Sequence, residues 1–277
     1  MSERVPPVPP VPPQLAEGEL PLAILVDYDG TVSLTDVTEM LLAQHVAGVW
    51  EEAEASYDAG EMGSRRLMSW EVSLIDADPD VLRATAAAQP HDPGFVGFVR
   101  RAQAAAIPVE VVSDGYGFFI QPALEALGVG ELPVVTARTV FSGRRASIEF
   151  PNGHPTCLVC GTCKRQRVLA YRAAGRRVVY IGDGESDRYA AGYSDIVFAK
   201  RSLERICLEA GWPYHRWTAF SEIDRWLAET LDAWRRDRTT IEPVPPGEPP
   251  PRGFFCGPEV WGEGLVDPPP GSWPPRP

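Results

Sequence analysis

Short apolar runs rich in valine and isoleucine recur along the chain, and each of them ends on polar residues. They predict β-strands at 22–27, 108–113, 177–182 and 195–199. Apolar residues at helical spacing predict helices at 93–106, 118–128, 164–175 and 202–211. Strands that alternate with helices of this length indicate an α/β fold with a Rossmann-like parallel sheet that is covered on both faces.

Two segments interrupt this alternation. Residues 34–90 carry only helical patterns over a length several times that of one crossover, so we predict a small helical cap inserted after strand one. Residues 134–156 instead predict a β-hairpin with Ser142 and Gly143 near its turn. The core of the domain is then expected to consist of residues 21–33 and 91–236.

The two ends of the chain are rich in proline. Residues 1–20 contain the run VPPVPPVPP, and residues 237–277 contain PVPPGEPPPRG and PPPGSWPPRP. Proline fixes φ and lacks a backbone donor, so these runs favour polyproline II or disorder. We interpret both ends as tails, either simply solvated or able to dock onto the aromatic groove of a protein partner.

Composition narrows the classes of function. The 277 residues are 44% hydrophobic and carry a formal net charge of −12, which argues against binding to nucleic acid through phosphate contacts. The chain has no apolar run of the roughly 18 residues that a membrane helix needs, and its N-terminus does not resemble a secretory signal. We therefore expect a cytoplasmic enzyme of undetermined oligomeric state.

Polar residues follow three of the predicted strands. Ligands of parallel α/β sheets bind beyond the carboxyl ends of the strands, so these residues are expected at one rim. They are Asp27, Asp29, Ser113, Asp114, Asp183 and Asp187. So many carboxylates would repel one another without a cation, and oxygen ligands of this kind suit Mg²⁺. Lys164, at the start of a helix, supplies a further positive charge, and Asp114 is expected to point away from the site.

The order of these residues carries a resemblance. The sequence DYDGT at 27–31, then Ser113, Lys164 and GDGESD at 182–187, resembles the four ordered motifs of the haloacid dehalogenase superfamily of phosphotransferases. The resemblance implies that Asp27 attacks phosphorus to form an aspartyl-phosphate. It also implies that Asp29 protonates the leaving oxygen and later deprotonates the attacking water.

The resemblance implies further roles. Asp27 and Asp183 would bind Mg²⁺ through their carboxylates and Asp29 through its backbone carbonyl, while Asp187 would orient a metal-bound water or Lys164. The phosphate would be held by residues that offer hydroxyl, amide or ammonium groups. These residues are Thr31, Ser113, Gly115 and Lys164.

Within the superfamily, the sequence resembles two families of phosphatase. Residues 180–223 and the run CGTCK at 160–164 are similar to the methionine-salvage phosphatases that act on 2-hydroxy-3-keto-5-methylthiopentenyl 1-phosphate. Residues 60–75 resemble the cap helix of phosphoserine phosphatases, but Glu71 stands where that family has an arginine for the substrate carboxylate. Four further residues suggest an apolar cap surface or a packed cap interior. They are Trp50, Tyr57, Met62 and Trp70.

A run of cysteines precedes Lys164. His154, Cys157, Cys160 and Cys163 follow one another at steps of three, and such nitrogen and sulfur ligands suit Zn²⁺. The spacing is cramped for a structural zinc site, so reduced thiols or a disulfide remain alternatives.

Together these observations predict a Mg²⁺-dependent phosphomonoester hydrolase that acts on a small phosphorylated metabolite through an aspartyl-phosphate. The methionine-salvage enol phosphate is one candidate substrate. The alternatives are a phosphoserine phosphatase, a phosphotransferase with an acceptor other than water, or a catalytically idle scaffold with docking tails.

Overall fold

The computed structural model describes residues 11–46, 54–55, 57, 62–245 and 256. The proline-rich runs at both ends lie largely outside this range, so the hypothesis that they are tails stays a prediction. None of the helices in the described ranges is both long enough and apolar enough to cross a bilayer.

The core is a seven-stranded, mostly parallel sheet. Its strands are β1 (Leu22–Val26), β2 (Val109–Tyr116), β3 (Val134–Ser142), β4 (Arg145–Glu149), β5 (Arg177–Gly182), β6 (Ile196–Ala199) and β7 (His215–Arg216). They lie in the order β4-β3-β2-β1-β5-β6-β7, and every neighbouring pair is parallel except β3 and β4. All five residues of β1 are buried because the central strand is covered on both faces. The predicted α/β fold is confirmed.

Helices cover this sheet, and several of them follow strand one, where the sequence predicts a helical cap. The described helices are α1 (Val37–His45), α2 (Ser64–Leu74), α3 (Pro79–Ala87), α4 (Phe95–Ala104), α5 (Gly117–Ala126), α6 (Lys164–Ala173), α7 (Arg188–Ala191), α8 (Arg201–Glu209) and α9 (Phe220–Arg236). The first four lie between β1 and β2, the first three of them within residues 34–90, and α2 packs against β4. The helical cap therefore rests on the hairpin.

The hairpin is confirmed, and one long helix was missed. Ser142 pairs with Arg145 across the predicted turn, where Gly143 adopts φ +62°. The sequence interpretation left α9 unassigned, although its buried residues follow one another at steps of three or four. They are Phe220, Ile223, Leu227, Leu231 and Trp234.

A buried ion pair fixes α6 against β2. The Arg167 guanidinium donates from Nε to Glu110 Oε1 at 2.5 Å and from Nη2 to Glu110 Oε2 at 2.6 Å. Tyr171 donates its hydroxyl to the same carboxylate at 3.2 Å, and Glu110 is fully buried. Such a pair aligns the helix that begins at Lys164 with the strand that contains Ser113.

We expect Arg167→Met to lower the free energy of unfolding by about 3–5 kcal/mol, because it leaves the Glu110 carboxylate buried without its cation. Urea denaturation followed by circular dichroism measures this loss.

The matched control is Arg101→Met. Arg101 also makes two hydrogen bonds to one carboxylate, that of Asp224, at 2.6 and 3.0 Å, but this pair lies at the surface. Its loss should cost at most about 1 kcal/mol. Equal effects of the two substitutions would contradict the structural role given to Arg167.

Candidate active site

The carboxyl ends of β1, β2 and β5 meet beneath the helical cap. The chain crosses from one side of β1 to the other between β4 and β5, and this change of direction leaves a crevice at the strand ends. A cavity of about 370 Å³ lies there, lined by residues of these strand ends and of α1 and α2. The predicted rim thus borders a partly open cavity between the strand ends and the helices α1 and α2.

Three predicted carboxylates converge at this rim. The ligand oxygens of Asp27, Asp183 and Asp187 all lie within 4.8 Å of one another, and all three residues are buried. Burial and the neighbouring carboxylates of Asp187 and Asp183 raise the pKa of Asp27 well above its ordinary value, while Lys164 opposes this. A donor set of closely spaced carboxylate oxygens fits a small divalent cation.

Lys164 lies in the middle of this cluster. Its Nζ donates to Asp187 Oδ1 at 2.7 Å, to Asp27 Oδ1 at 2.8 Å and to the Ser186 hydroxyl at 3.0 Å. Its side chain is 1% exposed. Burial alone would lower the pKa of Lys164, but the carboxylates of Asp187 and Asp27 outweigh burial and raise it. Lys164 therefore carries its charge inside the protein.

Asp187 is held by four donors. Oδ1 accepts from Lys164 and, at 2.5 Å, from the Tyr180 hydroxyl; Oδ2 accepts from the backbone N–H groups of Asp183 and Gly184, both at 2.9 Å. These bonds fix the loop after β5. Tyr180 was missed in the sequence because nothing there indicates where its hydroxyl points.

Asp183 has two side-chain partners. Thr31 donates its hydroxyl to Asp183 Oδ1 at 2.9 Å, and Arg201 lies 3.0 Å from Oδ2. Burial, together with the charge of Asp187, raises the pKa of Asp183 to about 6. Thr31, predicted to contact phosphate, thus contacts a carboxylate in this structure, and Arg201 is a cavity residue that the sequence interpretation missed.

Asp29 faces the start of α1. Its Oδ1 accepts from the Val37 backbone N–H at 3.0 Å, and its Oδ2 accepts from the Thr38 hydroxyl at 3.3 Å. Burial and the charge of Asp36 raise the pKa of Asp29 well above its ordinary value. A carboxyl group with a raised pKa can hold a proton and give it up, as a general acid must.

Ser113 and Gly115 form a small polar pocket beside Asp29. The Gly115 N–H donates to Ser113 Oγ at 2.9 Å, and Ser113 is buried. A Cβ at position 115 would lie 2.3 Å from Asp29 Oδ2, so a larger residue there would displace the Asp29 carboxylate. Helix α5 begins at Gly117, and the N-terminus of a helix favours anions.

The expectation that Asp114 points away from the site is wrong. Asp114 lines the cavity and accepts hydrogen bonds from the Ser64 hydroxyl at 2.9 Å and from the Thr162 N–H at 2.6 Å. The pairing of β2 with β3 shifts register between Val112 and Tyr116, so the simple alternation of side chains does not hold there. Asp114 thereby links the cap to the loop before Lys164.

The predicted cap residues have different positions. Tyr57 and Glu71 line the cavity, whereas Trp70 packs partly buried against the hydrophobic core. Trp50 lies outside the described residues, and Met62 does not line the cavity. Glu71 is buried, and its Oε2 accepts from the Tyr116 hydroxyl at 2.9 Å.

The cysteine run lies on the other side of Lys164. His154, Cys157, Cys160 and Cys163 line a small second cavity, and Cys256 joins them from the far end of the chain. None of these four cysteines forms a disulfide in the described part of the chain. Burial raises the pKa of Cys163 to about 11.

Zinc at this run stays a prediction. His154 Nδ1 accepts a hydrogen bond from the Cys157 N–H at 3.0 Å, so this nitrogen stabilises the turn. Among the described residues, the carboxylate oxygens of Asp27, Asp183 and Asp187 lie within 4.8 Å of one another. The described histidine and cysteine ligand atoms of the run do not form such a group.

Comparisons with known proteins identify the family of the chain. Residues 24–192, more than half of the chain, match the model of the haloacid dehalogenase-like hydrolase family. The 2-hydroxy-3-keto-5-methylthiopentenyl-1-phosphate phosphatase of Geobacillus kaustophilus is 30% identical over 211 residues, which cover 73% of this chain and 93% of that protein.

Two further similarities extend this result. The bifunctional enzyme MtnB/MtnX of Bacillus licheniformis is 27% identical over 217 residues, which cover 76% of this chain but only 50% of that enzyme. The chain is also similar to the structure of a phospho-aspartyl intermediate analogue of phosphoserine phosphatase, with a TM-score of 0.56 at 17% identity. The match covers 74% of this chain and 98% of that structure's chain, and it shows a similarity of fold. The chain therefore belongs to the haloacid dehalogenase-like hydrolase family, and it is a phosphatase.

Proposed function

We propose that the protein is a Mg²⁺-dependent phosphatase that hydrolyses a small phosphomonoester through an aspartyl-phosphate on Asp27. The observation that carries this proposal is the position of Asp27. It lies at the end of β1, beside Asp183 and Asp187, with one oxygen held by Lys164 at 2.8 Å. A carboxylate fixed in this way, next to a polar pocket for phosphate, is suited to attack phosphorus.

The first step forms a bond between an Asp27 oxygen and phosphorus and breaks the bond between phosphorus and the leaving oxygen. Lys164 holds Oδ1, which leaves Oδ2 for the attack. Asp29 gives its proton to the leaving oxygen, consistent with its raised pKa. The bound alcohol is thereby released, and Asp29 becomes a carboxylate.

The second step reverses these roles. Asp29 takes a proton from a water molecule, whose oxygen attacks phosphorus and displaces Asp27. Inorganic phosphate leaves, and both aspartates return to their starting states. In both steps Lys164, the Ser113 hydroxyl and the backbone N–H groups near Gly115 balance the charge on the phosphoryl oxygens.

The metal would be held by Asp27 and Asp183, with the Asp29 backbone carbonyl as a third ligand. When bound, Mg²⁺ supplies positive charge for the phosphoryl oxygens and favours the ionised form of Asp27. Because all four hydrogen bonds of Asp187 are directed at Lys164, Tyr180 and the loop after β5, we assign Asp187 to orienting Lys164. Thr31 orients Asp183 through its hydroxyl.

The methionine-salvage enol phosphate is the substrate that we propose first. It is supported by the named activity of the relatives that match most of their own length. Phosphoserine is the second candidate, and the likeness to phosphoserine phosphatases supports it only at the level of fold. Glu71 in the cavity disfavours the carboxylate of phosphoserine, since a buried carboxylate repels a like charge.

Asp27→Asn should abolish phosphate release from every phosphomonoester tested, with a loss of at least about 10³-fold in kcat, because an amide cannot form the aspartyl-phosphate. Removal of divalent cations with EDTA should silence the wild type, and added Mg²⁺ should restore it. A colorimetric assay of free phosphate measures both effects.

A time course with added acceptor alcohols distinguishes hydrolysis from transfer. Release of phosphate in step with substrate consumption supports a hydrolase, whereas phosphorylated acceptor in its place supports a transferase. Turnover that persists in Asp27→Asn would exclude the covalent route through this residue.

Asp29→Asn should affect substrates according to their leaving group. An alkyl phosphate needs a proton on its leaving oxygen, so its rate of aspartyl-phosphate formation should fall by about 10²-fold or more. p-Nitrophenyl phosphate has a stable leaving anion, so its burst of p-nitrophenol should persist while later turnover slows. Rapid-quench and stopped-flow measurements separate the two steps. An equal loss of the first step with both substrates would contradict the proton transfer assigned to Asp29.

A further inference from the structure

Glu71 occupies an unusual position for a charged side chain. It lies on α2, is 2% exposed, and accepts one hydrogen bond, at Oε2, from the Tyr116 hydroxyl. Its other oxygen, Oε1, accepts no hydrogen bond from the part of the chain that the structure describes. Because Glu71 lines the cavity, this oxygen is available to a bound molecule.

The cavity around Glu71 is strongly acidic. The described residues that line the cavity include one basic residue, Arg201, and nine acidic residues. Those nine are Asp27, Asp29, Asp36, Glu39, Glu54, Glu71, Asp114, Asp183 and Glu185. Lys164 pairs with Asp27 and Arg201 pairs with Asp183, while the carboxylates of Glu39 and Glu71 belong to the cap helices α1 and α2. The cap side of the cavity therefore disfavours a second anionic group on the substrate.

Apolar side chains complete the same wall. Leu67 and Met68 line the cavity from α2, and Leu67 lies one helical turn before Glu71 on the same face. The wall thus offers one hydrogen-bond acceptor next to an apolar surface. This pairing suits a leaving group with a hydroxyl near the phosphoester and an uncharged, apolar end.

We infer that Glu71 determines specificity: its Oε1 accepts a hydrogen bond from a hydroxyl of an uncharged leaving group, and its carboxylate rejects phosphomonoesters that carry a second carboxylate. The inference rests on the proposed phosphatase activity and narrows its substrate class.

The ionisation of Glu71 is consistent with this role. Burial, together with the charge of Asp36, raises the pKa of Glu71 to about 7, although the bond from Tyr116 opposes the rise. A hydroxyl can donate to Glu71 in either protonation state, since an acceptor oxygen remains in both. A substrate carboxylate must instead meet a like charge or force Glu71 to take up a proton, so discrimination should be strongest above neutral pH.

The test compares two substrates that share one skeleton. Glycerol 3-phosphate has a hydroxymethyl group where 3-phosphoglycerate has a carboxylate. We expect the wild type to prefer glycerol 3-phosphate by at least about tenfold in kcat/KM, measured about one pH unit above the pKa of Glu71. Glu71→Gln keeps an acceptor for Tyr116 but removes the charge, so it should reduce this preference about tenfold. Glu71→Arg should reverse the preference.

Glu39→Gln is the matched control. Glu39 also lines the cavity but is exposed on α1, where solvent screens its charge, so the preference should change less than about twofold. If Glu71→Arg does not fold, Glu71→Gln still tests the specificity role of Glu71.

An unchanged preference in Glu71→Gln, or no preference in the wild type, would overturn the inference while phosphate release continued. Failure of the proposed function looks different, because the wild type would then release no phosphate from either substrate.

Discussion

A lysine ammonium buried between two aspartates is the contact on which the rest of the site depends. Lys164 donates to Asp27 and Asp187 at 2.8 and 2.7 Å, within a cluster that also contains Asp183. Closely spaced carboxylates in a buried site would otherwise take up protons. In the proposed mechanism a protonated Asp27 would be a poor nucleophile, and Lys164 opposes the rise in the pKa of Asp27 that burial and the neighbouring carboxylates cause.

The position of Lys164 is in turn set by elements outside the site. The ion pair of Glu110 and Arg167 holds α6 against β2. Glu110 lies three residues before Ser113 on the strand, and Arg167 lies three residues after Lys164 on the helix. Tyr180 and the backbone of the loop after β5 hold Asp187 from the other side. The ammonium thus lies where three separately anchored segments meet, and shifting any one of them would separate the charges.

The sequence predicted those parts of the site that follow from strand ends. A buried aliphatic run that stops at Asp27, and a second that stops at Gly182, identify the rim because parallel strands end on one side of a sheet. Contacts that depend on loop conformation were not predictable in this way. Arg201 reaches Asp183 through a helix start at φ +50°, and Asp114 turns inward because β2 shifts register. Helix α9 differs, since its apolar spacing was present in the sequence and was overlooked.

The two ends of the cavity differ in the charged groups that they present. At the sheet, the ammonium of Lys164 lies beside a cluster of carboxylates that fits a divalent cation, and the proposed mechanism has the phosphate bind there. At the cap, Glu71, Leu67 and Met68 provide an acceptor and apolar contacts but no positive charge. In the proposed mechanism a substrate is therefore oriented by its own asymmetry, with its anionic group at the strand ends. With Glu71 in its inferred role, the cap binds the uncharged remainder and disfavours a second anionic group, which links substrate choice to the charge pattern of the proposed mechanism.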